Sequence, residues 1–211
     1  MEFARNFLRS NLGIDSPALL SSPFRLVALA YFGHSHNYVL SNDEARQLRY
    51  WALMATAKGR FSRGSSKTIL DQDVASIRHS GTLSKLIDRL RLHFGRLAIT
   101  LEELESRNQR SAPLKTMFLA FCAAGTKDWR SLLTVAFDHS GAQHRLQFHH
   151  IFPNAVLKTS FTACELDDIA NLAFICGKTN RTISDKVPAV YLPLLVDQLS
   201  EPAFAAQCIP V

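Results

Sequence analysis

Apolar residues recur every three or four positions along most of the first half of the chain, which is the spacing of amphipathic helices. Ser41-Asn42-Asp43-Glu44 has the pattern of a capping box and predicts a helix that runs to about Lys58. The apolar run Phe24–Phe32 predicts a buried helix that ends before Gly33, because glycine often follows the last residue of a helix. We therefore expect residues 1–110 to form a helical domain.

The pattern changes near residue 146, where single residues alternate between the two sides of the chain as in a strand. Along Leu146–Phe152 this alternation makes the adjacent His149 and His150 point to opposite faces. A second apolar run begins at Asn171, and a helix is expected after it. The sequence thus predicts a mainly α protein with a small β-hairpin, in which residues 111–211 form the second domain.

The hairpin carries the groups that a metal-dependent nuclease needs. Hydrolysis of a phosphodiester requires a base that activates water, a divalent cation that stabilises charge on phosphorus, and groups that hold both. His150 is the candidate base, because an imidazole titrates near neutral pH. His149 and Asn180 are candidate cation ligands, and Asn171 is expected to orient the His150 segment by hydrogen bonding.

These residues resemble the HNH endonucleases of the ββα-metal fold. The usual pattern of that family is an acidic residue or His, then His, then Asn at the start of the next strand, then Asn or His on the helix. The corresponding residues here are His149, His150, Asn171 and Asn180. The resemblance implies that residues 111–211 hold a ββα-metal nuclease motif after the helical domain.

A closer resemblance is carried by HHIFP and IANLAFICGKTNRTISDK, which are similar to the C-terminal nuclease domain of GmrSD-type modification-dependent restriction proteins. Upstream, RYWALMATAKGRFSRGSSKTILDQD is similar to the helical region that precedes that nuclease. Full-length members also carry a large N-terminal nucleotide-handling domain, which this sequence does not show. The resemblance therefore implies a role in restriction and phage defence, with that domain supplied by a missing segment or a partner subunit.

The implied cofactor is a divalent cation, Mg²⁺ or Mn²⁺. Many relatives have an acidic first ligand, whereas His149 is neutral, and this favours Mn²⁺, Ni²⁺ or Zn²⁺ in vitro. The four cysteines form no C-x-x-C pair, which argues against a four-thiolate zinc ribbon. An alternative remains in which His149, Cys164 and Cys176 bind a structural zinc in an interaction domain.

The charge of the chain favours a polyanionic partner such as DNA. The net charge is +6 and the pI is about 9.4. Residues 1–110 carry sixteen Lys and Arg against ten Asp and Glu, while residues 111–211 carry eight of each. The expected phosphate contacts are Lys58, Arg60, Arg63 and Lys67 in the helical half and Lys178, Arg181 and Lys186 near the hairpin. The alternatives are a solvated basic loop, or a catalytically inactive module that only binds nucleic acid.

Neither a run of about 18 apolar residues nor a signal-peptide pattern is present, so we predict a cytoplasmic protein without a membrane partner. The polar segment Arg107–Pro113 is the expected boundary between the two domains.

Overall fold

The computed structural model describes residues 1–62, 64–137, 139, 141–199 and 201–209. The chain divides into two compact units, Met1–Thr100 and Leu101–Val211. It is mainly helical and contains, within these ranges, one two-stranded antiparallel sheet. The prediction of a mainly α protein with a small hairpin is confirmed at this level. Residues 101–110, which we expected in the helical half, belong to the second unit.

Among its described residues, the first unit has five α-helices and a short 3-10 helix at Pro17–Leu19. The α-helices are α1 (Glu2–Leu12), α2 (Phe24–Ser35), α3 (Asn42–Ala57), α4 (Ser66–Ser80) and α5 (Leu83–Phe94). The capping box at the start of α3 forms as its sequence predicts. The Ser41 hydroxyl accepts a hydrogen bond from the Glu44 backbone N–H at 3.3 Å, and the Glu44 carboxylate accepts one from the Ser41 backbone N–H at 2.8 Å.

Helix α2 does not end before Gly33 but continues through it to Ser35, so that expectation was wrong. A Cβ atom at residue 33 would overlap the side-chain ring of Phe3 on α1. Glycine is therefore present at this position because two helices approach closely, and it does not terminate the helix.

Two of the cations expected to contact DNA phosphates are buried in the first unit. Arg60 is 2% exposed and donates through Nε to the carboxylate of Asp73, which is fully buried, at 2.8 Å. Lys58 is 7% exposed and donates through Nζ to the backbone carbonyl of Ala98 at 2.8 Å. Their expected role as phosphate contacts was wrong, because both charges already have protein partners away from solvent. Lys67 is exposed, and Arg63 lies outside the described residues.

The second unit combines short helices with the sheet. Its elements are α6 (Leu101–Leu104), α7 (Ala112–Ala123), β1 (Leu146–His150), α8 (Asn154–Leu157), α9 (Ala163–Leu166), β2 (Leu172–Cys176), α10 (Gly177–Ile183), α11 (Pro188–Val196) and α12 (Glu201–Ala205). Strands β1 and β2 are antiparallel, with His149 opposite Ala173 and His150 opposite Leu172. Helix α10 follows β2 without a loop and contacts both strands.

A hydrophobic core on one side of this sheet supports the hairpin. Its buried members include Trp129, Ala173, Ile175, Ile183, Tyr191, Leu195 and Phe204. Residues from the segment before β1, from β2, and from α10 to α12 thus meet in one cluster, and this packing fixes α10 on the sheet.

No helix within the described ranges is long and apolar enough to cross a membrane.

The buried Arg60–Asp73 pair gives a stability prediction. Asp73→Ala should lower the free energy of unfolding by about 3–5 kcal/mol, because it leaves the Arg60 charge buried without its carboxylate. Asp88→Ala is the matched control, since its ion pair with Arg91 is more than half exposed on both sides, and it should change stability by less than about 1 kcal/mol. Urea unfolding followed by circular dichroism measures both changes. Equal effects of the two substitutions would contradict the structural role of the buried pair.

Candidate active site

His149 and Asn180 are brought together between β1 and α10. His149 is 3% exposed, and its Nδ1 donates to Asn180 Oδ1 at 2.8 Å. The ring meets the indole of Trp129 edge-to-face at 6.0 Å between centroids and the phenol of Tyr191 at 5.7 Å. The two candidate cation ligands, which are 31 residues apart in sequence, thus present a ring nitrogen and an amide oxygen to each other.

The environment of His149 favours the neutral form of its imidazole. Burial lowers the pKa of His149, the hydrogen bond to Asn180 opposes this shift, and the nearby His150 lowers it further. Nε2 of His149 is buried without a hydrogen-bond partner among the described residues. A neutral imidazole is the form that binds a metal ion, because only that form has a free lone pair.

His150 lies on the other face of β1 and has a different partner. Its Nε2 donates to Oδ1 of Asp167 at 2.9 Å, and the two side chains are 29% and 46% exposed. A carboxylate only accepts hydrogen bonds, so Nε2 carries the proton and the lone pair of Nδ1 stays available in the neutral ring. This arrangement suits a base that accepts a proton from water. Sequence reasoning missed Asp167, because nothing in the local pattern links it to a histidine 17 residues earlier.

Asn171 fixes the chain that follows the histidines. Its Oδ1 accepts from the Phe152 N–H at 2.8 Å, and its Nδ2 donates to the carbonyls of Phe152 and Leu166, each at 3.1 Å. The Asn171 backbone carbonyl also accepts from the Ile151 N–H at 2.8 Å. The side chain thus holds the end of β1 against the start of β2, which is the orienting role expected from the sequence.

The carboxylate of Asp128 fixes the start of α10. It is 2% exposed and accepts hydrogen bonds from the Cys176 N–H at 2.7 Å and the Thr179 hydroxyl at 2.7 Å. Within its own loop it also accepts from the Arg130 N–H and from the N–H and hydroxyl of Ser131. Burial would raise the pKa of Asp128, but the hydrogen bonds from Cys176, Ser131 and Thr179 together hold it below its ordinary value. Asp128 was not singled out in the sequence, since its partners are 48 and 51 residues away.

Three expected DNA contacts lie on or just after α10 and are exposed. They are Lys178, Arg181 and Lys186. Arg181 donates to the backbone carbonyl of Ala142 at 3.2 Å, and Lys186 donates to that of Thr182 at 3.2 Å. Neither hydrogen bond neutralises the charge, so all three cations remain available to an anion.

No protein-family model, no curated protein and no solved structure matches this chain.

His149 and Asn180 supply only two candidate ligands, so a cation bound there would take its other ligands from substrate and water. Within the described residues, no group of three or more His, Cys, Asp and Glu side chains is placed to hold a metal. The neutral His149 ring offers one nitrogen lone pair and Asn180 offers one amide oxygen, and a nitrogen with an oxygen suits Mn²⁺, Zn²⁺ or Ni²⁺ better than Mg²⁺.

Asp128 gives a pH-dependent stability prediction. Its folded pKa lies below the unfolded value, so its stabilising contribution is complete above the unfolded pKa and disappears as pH falls through the folded one. Asp128→Asn should destabilise the protein by about 1–3 kcal/mol at pH 7, because an amide cannot accept all of these hydrogen bonds. Its stability should also fall less than that of the wild type as the pH drops below the unfolded pKa of an aspartate, about 4.

Urea unfolding at several pH values measures this difference. Asp197→Asn on the surface is the control and should reproduce the wild-type profile. A parallel decline of the Asp128→Asn and wild-type curves would show that the Asp128 carboxylate is not the group that titrates.

Proposed function

We propose that this protein is a metal-dependent DNA endonuclease of the HNH type, which hydrolyses phosphodiester bonds. The observation that carries the proposal is that the two adjacent histidines have different partners on opposite faces of β1. His149 meets Asn180 at 2.8 Å on one face of β1, while His150 is held by Asp167 at 2.9 Å on the other. The order strand, strand, helix with these residues agrees with the resemblance to HNH nucleases. The similarity to GmrSD-type proteins further suggests restriction or phage defence.

His150 is proposed to act as the general base. Its Nδ1 accepts a proton from a water molecule as the water oxygen forms a bond to phosphorus. The P–O bond to the leaving sugar oxygen breaks in the same displacement. Asp167 stabilises the resulting imidazolium through the hydrogen bond at Nε2, and Asn171 keeps the histidine segment in place.

His149 and Asn180 are the residues that would hold a divalent cation. When bound, the cation would stabilise the negative charge that develops on the phosphate. The burial of His149 between Trp129 and Tyr191 fixes its ring. For Nδ1 to bind a cation beside Asn180 Oδ1, the ring proton would have to lie on Nε2, which has no hydrogen-bond partner among the described residues.

The first test of this proposal concerns the base. His150→Ala should reduce the rate of cleavage of supercoiled plasmid by about 10²–10⁴-fold, because the attacking water no longer has its proton acceptor. Asp167→Asn should give a smaller reduction and should change the dependence of the rate on pH, since it changes the partner of Nε2. His79→Ala, an exposed histidine of the first unit, is the matched control. Cleavage by His150→Ala at the wild-type rate would overturn the catalytic assignment.

The second test concerns the cation. His149→Ala and Asn180→Ala should each weaken the binding of Mn²⁺ by about 10–100-fold, and their cleavage activity should recover in part at high Mn²⁺. The His150→Ala variant should bind Mn²⁺ like the wild type and should not recover. Titration calorimetry measures the affinities, and circular dichroism checks the fold. Unchanged Mn²⁺ affinity in both ligand variants would show that the cation is not held by this pair.

A further inference from the structure

A cavity of about 390 Å³ lies beside the His149–Asn180 pair in the second unit. The residues that line it include Arg145, Gln147, Asn180 and Arg181, and we call it the Arg145–Arg181 cavity. Ligand sites typically have volumes of roughly 300–1,000 Å³, so a nucleotide unit of a DNA strand fits its size. Asn180 belongs both to this cavity and to the candidate cation site.

The sheet and α10 build this cavity together. Gln147 and His149 lie on the same face of β1, and Arg145 precedes that strand in the same alternation. The Gly177 N–H donates to the Arg145 carbonyl at 3.0 Å, and the Lys178 N–H donates to that of Gln143 at 2.9 Å. A Cβ atom at residue 177 would overlap the carbonyl oxygen of Ala142. Gly177 thus allows the segment that carries Arg145 to lie directly against α10.

The chemistry of the lining selects for an anion. Arg145 and Arg181 are exposed cations, and neither forms an ion pair with a carboxylate in the part of the chain that the structure describes. No Asp or Glu side chain is among the described residues that line the cavity. The amides of Gln147 and Asn180 add neutral hydrogen-bond donors. Guanidinium groups bind phosphate oxygens in pairs of parallel hydrogen bonds, which gives a phosphate both affinity and position.

We propose that the Arg145–Arg181 cavity binds a backbone phosphate of DNA next to the scissile bond, with Arg145 and Gln147 as substrate-binding residues. This inference rests on the proposed nuclease function, and it explains how the strand reaches the His149–Asn180 pair. Asn180 lines the proposed phosphate position and is also one of the two candidate cation ligands. A phosphate held by the two arginines therefore places the neighbouring phosphodiester at the candidate active site.

The test replaces the cations without altering the fold. Arg145→Gln, Arg181→Gln and the double variant are compared with Arg110→Gln, which removes an exposed arginine of the same unit outside the cavity. Binding of a fluorescent duplex is measured over a salt series in a His150→Ala background, so that no cleavage occurs. Each cavity variant should weaken binding about tenfold. The slope of log affinity against log salt should flatten by about 0.9 for each phosphate that the variant no longer neutralises.

Cleavage kinetics with His150 intact separate binding from chemistry. The cavity variants should raise KM while kcat changes by less than about threefold, because the base and the cation ligands are retained. Arg145→Lys keeps the charge and should restore most of the salt slope but not the full affinity, since lysine lacks the paired hydrogen bonds. Because Arg181 also donates to Ala142, circular dichroism melts accompany each Arg181 variant, and the Arg145 variants carry the test if Arg181→Gln unfolds.

The experiments distinguish failure of the cavity proposal from failure of the nuclease proposal. If the wild type cleaves DNA but Arg145→Gln matches Arg110→Gln in salt slope and KM, the cavity does not bind the DNA backbone and the nuclease proposal stands. If the wild type does not cleave DNA with any divalent cation, the nuclease proposal itself fails, and the inference fails with it.

Discussion

The buried carboxylate of Asp128 joins three parts of the second unit. It accepts hydrogen bonds from its own loop, from the last residue of β2 at Cys176 and from α10 at Thr179. Burying a carboxylate is costly, and these charge-assisted hydrogen bonds offset that cost only while all the segments are in place. Because Asn180 follows Thr179 directly, its position opposite His149 depends on this anchor. The candidate site is thus determined by a residue that lies outside the group of proposed substrate and cation contacts.

Much of the hairpin could be predicted because its signals are local. Strand alternation alone separates His149 from His150, and the structure gives the two rings different partners on different faces. The capping box of α3 could also be predicted from the sequence, since both of its hydrogen bonds join residues three positions apart. These features follow from backbone geometry over a few positions, and no knowledge of the fold is needed to find them.

Features that depend on distant contacts could not be predicted. Arg60 looks like a surface cation in a polar loop, but Asp73, 13 residues later, draws it into the interior of the first unit. Gly33 has the sequence context of a helix terminator, but the contact of its backbone with the ring of Phe3 is what requires a glycine there. Asp167 lies in the loop between α9 and β2, and its sequence context does not indicate that the fold places it beside His150. In each case the partner is set by tertiary packing, which overrides the local preference.

The chain contains two tryptophans, and each unit holds one of them. Trp51 is fully buried in the first unit, and Trp129 is 1% exposed in the second, where its indole adjoins His149. Tryptophan fluorescence therefore has one emitter per unit, and in a chain with Trp51→Phe all tryptophan emission would come from the second unit. Trp129 is placed so that its emission senses the state of the histidine beside it. The protein thus carries an optical reporter within its own candidate active site.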